Sequence, residues 1–133
     1  MRIILDTGPL VALLNERDAR HRWTVEILQH LSPPLWTCEP VLTEASHLTQ
    51  KPAQIMARVS AGALRIGLEL EEHVNHLERL LVRYQGRMDL ADACVVRMSE
   101  VFSDCKVLTL DNQDFSIYRR HGRAVIPVIA PDD

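Results

Sequence analysis

Apolar residues fall along the chain in two kinds of pattern. Short runs bounded by turn signals occur at Ile3-Ile4-Leu5, Leu35-Trp36-Thr37-Cys38, Leu64-Arg65-Ile66-Gly67, Val107-Leu108-Thr109-Leu110 and Val125 to Ile129. Runs of this length read as strands, and continuous ones as strands buried on both faces. Other segments carry apolar residues at helical spacing. Trp23, Ile27, Leu28 and Leu31 follow Asp18, which predicts a second helix capped by that aspartate. Val74, Leu77, Leu80 and Leu81 predict a helix over 70–84, and 90–102 is the most apolar helical stretch. Shorter helices are expected over 10–15, 40–50, 52–61 and 113–120, the middle pair opened by Pro40 and Pro52. Ser32-Pro33-Pro34 and Gln85-Gly86-Arg87 are breaks. Strands alternating with helices imply a three-layer α/β/α sandwich around a central parallel sheet of four or five strands, with 1–133 as a single domain.

Two of the strand runs end in an aspartate, Asp6 after Ile3-Ile4-Leu5 and Asp111 after Val107 to Leu110. Parallel strands deliver their C-terminal ends to one edge, where open α/β sheets keep their ligand sites. Two carboxylates there repel each other unless a cation stands between them. Further acids join them. Asp89 and Asp92 stand three apart at the start of the apolar helix, so both can share a face. Asp92 precedes Ala93-Cys94-Val95-Val96, and an acid one turn into a buried helix is costly without a partner. Glu44 lies in mid-helix, with Val41, Ala45 and Leu48 at three and four residues' distance. Asp114 follows Asp111 by three where another helix begins. Each acid alone has an ordinary reading: Asp89 and Asp92 as an N-cap and its N3 partner, Asp111 as a turn residue, Glu44 as a part-exposed helix residue. Together, at one edge, they point to a site for Mg²⁺ or Mn²⁺, hard ions that prefer oxygen ligands. Such ions activate water and stabilise the oxygens of a phosphoryl displacement, so no separate base is required.

Composition narrows the picture only slightly. The chain has 133 residues, 47% hydrophobic and 25% charged, as in globular proteins. No apolar run approaches the roughly 20 residues of a membrane span, and no secretory signal is visible, so a cytoplasmic protein is expected. Cys38, Cys94 and Cys105 form no C-x-x-C pair and read as reduced, buried thiols. The formal charge of −3 argues against nucleic acid, but setting four ligand carboxylates aside leaves +1. The cations are thirteen Arg against two Lys, and Arg suits bidentate phosphate contacts.

The acidic segments resemble the PIN-domain family, and more narrowly the small toxins of the VapC type. Ile3-Ile4-Leu5-Asp6-Thr7 is similar to that family's opening strand and first acid, and Val41-Leu42-Thr43-Glu44 to its helical glutamate. Asp89-Leu90-Ala91-Asp92-Ala93 resembles its third-acid segment, and Thr109-Leu110-Asp111-Asn112-Gln113-Asp114-Phe115 its closing T-x-D-x-x-D-F segment. The resemblance covers nearly the whole chain and implies metal-dependent cleavage of RNA, a homodimer and an antitoxin partner. Carried over, the catalytic and metal-binding acids are Asp6, Glu44, Asp92 and Asp111. Thr109 would orient the site, and Asp114 would be an outer acid. Asp89 competes with Asp92 for the third position; Asp92 is preferred because it is costlier to keep otherwise.

Arg119, Arg120 and Arg123 follow the last acidic segment, either to contact RNA phosphates or an antitoxin, or as cations at a helix C-terminus. His73 and His76 stand three apart, a spacing unlike H-E-x-x-H, and read as a solvated helix face. Trp23 and Trp36 read as core. Nucleotide-loop motifs are absent from the sequence. The leading expectation is a ribonuclease toxin. The alternatives are an RNA-processing PIN nuclease without antitoxin, and a non-catalytic Mg²⁺-binding interaction module.

Overall fold

The computed structural model describes residues 1–132; Asp133, the last residue of the expected 1–133 domain, lies outside the described residues. Five parallel strands form the central sheet: β1 (Arg2–Leu5), β2 (Leu35–Thr37), β3 (Leu64–Ile66), β4 (Cys105–Leu108) and, at the far edge, β7 (Val128–Ile129). Their order is β3-β2-β1-β4-β7. The helices are α1 (Thr7–Leu14), α2 (His21–Gln29), α3 (Glu39–Thr49), α4 (Pro52–Ser60), α5 (Val74–Arg83), α6 (Leu90–Val101) and α7 (Asn112–Ile117). The sheet flanked by these helices is the expected α/β/α arrangement.

Burial explains why the central runs are so apolar. Ile4 on β1 and Val107 and Leu108 on β4 are fully buried, and Leu5 pairs with Leu108 across the strands. On α6, Ala93 to Val96 are all buried, so this helix is apolar beyond one stripe because sheet and neighbouring helices cover it. Trp23 and Trp36 pack against the core, and the three cysteines are free and buried, as expected. Among the described residues no helix is long and apolar enough to cross a membrane.

Several boundaries differ from expectation, each for a local reason. Helix α1 starts at Thr7 rather than residue 10, because Asp6 already has N-cap geometry and Pro9 fits the first turn. Asp18 does not cap α2; its carboxylate accepts from the Arg20 N–H at 2.9 Å, and the helix begins at His21. The 70–84 segment opens as a 3₁₀ turn over Leu70–His73 before α5. The 113–120 helix stops at Ile117. Arg119 and Arg120 instead form β5 (Arg119–Arg120), antiparallel to β6 (Ala124–Val125). His121 and Gly122 make the turn with φ of 55° and 75°, a region where glycine is unstrained. The expected strand over 125–129 is split between β6 and β7 at Pro127, which has no N–H to donate, though its carbonyl accepts from Val107 N at 2.9 Å.

The burial pattern predicts that Ile4→Ala costs ~2–5 kcal/mol of unfolding free energy, measured by denaturant titration. Ile66→Ala, at a residue 38% exposed on β3, is expected to cost well under half as much. Equal losses at the two positions would contradict the assignment of β1 to the centre of the sheet.

Candidate active site

Sheet order decides where the acids meet. From β1 the chain moves through β2 to β3 on one side, then crosses back to β4 on the other. The switch therefore lies between the C-terminal ends of β1 and β4, the crevice where open α/β sheets bind ligands. Asp6 follows β1 and Thr109 follows β4 at this point. A cleft of about 500 Å³ opens there, lined by Asp6, Glu44, Asp89, Asp92, Asp111 and Asp114. All six acids singled out from the sequence thus reach one concavity, from four helices and two strand ends.

Asp6 is the most buried of them, 7% exposed. Its Oδ2 accepts a 2.7 Å hydrogen bond from Thr109 Oγ1, and that hydroxyl oxygen accepts from Asp111 N–H at 2.9 Å. Asp6 N–H itself donates to Leu108 O at 3.0 Å, and Thr37 Oγ1 donates to Leu5 O at 3.0 Å. The first acid is therefore held by strands on both sides. Asp111 caps α7 by accepting from Asp114 N–H at 2.9 Å. Asp89 and Asp92 form a full capping box on α6: Asp92 N–H donates to Asp89 Oδ1 at 2.8 Å, and Asp89 N–H to Asp92 Oδ2 at 3.4 Å. The capping reading of this pair is correct, and it does not compete with a place in the cleft. Asp89 is exposed, whereas Asp92 is half-buried and accepts from Tyr118 Oη at 2.9 Å. Glu44 projects from α3 between buried Val41 and Ala45 and the exposed Leu48, which also lines the cleft.

Three residues enter that the sequence pattern left out. Arg87, in the break before α6, places Nη1 2.5 Å from Asp114 Oδ1 and is the cation of the cleft lining. Its only sequence signal is a cation two positions before Asp89. Tyr118 is fully buried and ties Asp92 to the Arg87 carbonyl, a link 26 residues long that no local pattern announces. Thr7 Oγ1 is buried at the cleft with no hydrogen-bond partner among the described residues. The three arginines of the 119–123 segment do not line the cleft. Arg119 Nη1 donates to the carbonyls of Ser116 and Tyr118 at 2.7 and 3.1 Å, closing the end of α7. Arg120 Nη2 donates to Ser99 O and, at 3.2 Å, to Ser103 O, closing the end of α6. Arg123 is exposed beside the hairpin turn.

The electrostatics follow from crowding. Burial pushes the Asp6 carboxyl up to about 6, opposed by its Thr109 bond and reinforced by Asp111 and Glu44. Burial, then Asp89, pushes Asp92 up to about 7. Asp111 is raised as well, by partial burial and by Asp114. The set offers hard oxygen donors only, plus an orphaned threonine oxygen, which suits a hard divalent cation. Among the described residues no three acidic, histidine or cysteine side chains are drawn into a closed metal cage.

A family profile of the PIN domain matches residues 3–121. The chain belongs to the PIN domain family. No curated protein matches the chain by sequence. Solved structures do match its fold. VapC20 of Mycobacterium tuberculosis, a toxin that cleaves the sarcin–ricin loop, superposes with a TM-score of 0.77 at 20% identity, covering 94% of this chain and 99% of that one. The DNA-bound VapBC complex of Salmonella typhimurium gives 0.60 at 14% identity, covering 98% of each chain. VapBC2 of Rickettsia felis, bound to a promoter fragment, gives 0.63 at 11% identity, covering 99% and 100%. At such identities the likeness establishes the PIN fold along almost the whole chain.

A raised carboxyl pKa destabilises the fold once the carboxyl ionises. For Asp6 and Asp92 this penalty is absent below the unfolded value of 3.8 and complete above about 6 and about 7. For Asp6 it is on the order of 3 kcal/mol. In EDTA, the melting temperature is therefore expected to fall between pH 5 and 7.5, and the fall should shrink in Asp6→Asn and when Mn²⁺ is added. A metal-free protein equally stable at both pH values would contradict the crowding. Thr109→Val, which strips one bond from Asp6 and one acceptor from Asp111, is expected to cost ~1–3 kcal/mol in the same thermal assay.

Proposed function

We propose that this chain is a divalent-metal-dependent endoribonuclease, and that it serves as the toxin of a toxin–antitoxin pair. The observation that carries the reading is the carboxylate cleft at the β1–β4 switch point of a PIN domain. The likeness to VapC20 and to two VapBC complexes supports the toxin role and an antitoxin partner. In this reading residues 1–133 are one nuclease domain working in the cytoplasm as a homodimer.

Six carboxylates repel a phosphodiester, so the scissile phosphate enters the cleft only with a cation in place. Asp6, Glu44, Asp92 and Asp111 would hold Mg²⁺ or Mn²⁺, with Asp89 and Asp114 outside them. When bound, the ion supplies Lewis acidity, lowering the pKa of water and offsetting charge on the phosphoryl oxygens. The chain does the rest. Thr109 fixes the Asp6 carboxylate, and Tyr118 fixes that of Asp92. Arg87, exposed and among the described residues paired with Asp114 across the surface, gives up little by turning to a substrate phosphate.

The test is cleavage of single-stranded RNA with Mg²⁺ or Mn²⁺, together with calorimetric Mn²⁺ binding. Asp6→Asn and Asp92→Asn are expected to abolish cleavage and weaken Mn²⁺ binding while the chain stays folded. Thr109→Val should lower cleavage by about 10–100-fold, as for residues that orient metal ligands. Cleavage that survives both aspartate changes would sink the site. Growth arrest on expression of the wild type, relieved by co-expressing a neighbouring small reading frame, separates a toxin from an RNA-processing nuclease.

A further inference from the structure

Outside the carboxylate cleft, a second concavity is strongly basic. A cavity of about 460 Å³ lies between α5, α6 and the tip of the β5–β6 hairpin. Its charged lining is His76, Arg79 and Arg83 from α5, Arg97 and Glu100 from α6, and His121 from the hairpin turn. Residues three and four apart share a helix face, so 76, 79 and 83 stack toward one opening. Glu100, the acid of the lining, is already engaged twice. Arg97 Nη1 lies 3.2 Å from its Oε1, and His121 N–H donates to its Oε2 at 2.6 Å. Arg97 Nε also donates to His73 Nδ1 at 3.1 Å, and Arg83 Nη1 to Gly122 O at 2.9 Å. Among the described residues no carboxylate pairs with Arg79 or Arg83. Three guanidinium groups therefore face one carboxylate that is spoken for. The crowding reaches His76, whose pKa is lowered by desolvation and then by Arg97 and Arg79.

Like charges gathered this way are costly unless an anion offsets them, and the guanidinium fork matches a phosphate. The cavity and the cleft draw on neighbouring stretches of the same segments. Arg87 at the cleft follows Arg83 by four positions, as Arg83 follows Arg79. On α6, Arg97 follows Asp92 by five residues, about 7 Å along the axis. The two sites thus share the α5–α6 segment, and Arg87 brings a cation to a cleft whose own carboxylates repel phosphate.

We propose that the His76–Arg79–Arg83–Arg97 cavity anchors a backbone phosphate of the RNA strand whose scissile bond lies in the carboxylate cleft. The inference rests on the ribonuclease reading above. A single-stranded RNA oligonucleotide in EDTA, followed by fluorescence anisotropy at several salt concentrations, tests it. Arg79→Gln/Arg83→Gln is expected to weaken binding roughly tenfold or more at low salt and to reduce the salt slope by about 1.4, the value for two phosphate contacts. The His76 ring resonances should shift with RNA in the wild type and not in the double variant. Arg79→Glu alone, at an exposed residue, should weaken binding further still. Arg17→Gln/Arg22→Gln, the same charge change at exposed positions elsewhere, should change affinity far less. Equal losses in the two double variants would overturn the anchor, leaving only general electrostatics. So would a His76 response to inorganic phosphate with none to RNA, which marks a free-anion site. Wild-type RNA cleavage with unchanged binding by Arg79→Gln/Arg83→Gln would overturn this inference and leave the ribonuclease reading intact. Wild type that neither binds nor cuts RNA would overturn both.

Discussion

The 2.7 Å hydrogen bond from Thr109 to Asp6 joins residues 103 positions apart, and the acidic cleft depends on it. It exists because β1 and β4 lie side by side and parallel, so their C-terminal ends emerge together. The Thr109 hydroxyl donates to the first acid and accepts from the backbone of the last. One small side chain thereby fixes the distance between two like charges that would otherwise separate. Strand pairing supplies the stiffness, since Leu5 and Leu108 are buried partners immediately before the two acidic segments.

The remaining acids are accommodated by doing local work as well. Asp89 and Asp92 cap α6, and Asp111 caps α7, so helix N-termini with their partial positive charge face the cleft. Asp6 also sits at an N-cap, but its side chain makes no capping bond and turns to Thr109 instead. Capping lowers the cost of gathering carboxylates without removing it; burial first, and neighbouring acids after it, still raise Asp6 and Asp92. An acid that caps a helix is thus not thereby excluded from a site. Cap and ligand geometry coincide here because a parallel sheet brings strand ends and helix starts to the same edge.

Charge of the opposite sign is kept one step away. Arg87 alone enters the acidic cleft lining, while Arg79, Arg83 and Arg97 collect in the neighbouring cavity. Two of the arginines that follow α7 close helix ends. Arg119 and Arg120 close the carbonyl ends of α7 and α6, and their strand pairing with Val125 and Ala124 replaces the expected last helical turn. Read along the chain, Arg119-Arg120 and Arg83 look alike; the difference lies in which carbonyls stand within reach.

Local pattern alone determined the first four strand runs, most helices, the parallel α/β/α class and the six acids of the cleft. Periodicity and capping act within a few residues, and parallel strands leave one choice of edge. Tertiary structure decided what depends on distant partners. It set Asp6 under Thr109, brought buried Tyr118 to Asp92, admitted Arg87, and turned Arg119 and Arg120 inward. Each of those contacts requires two segments to meet through the order of the sheet. Hydrophobic spacing encodes which face of a segment is buried, not which segment lies against it.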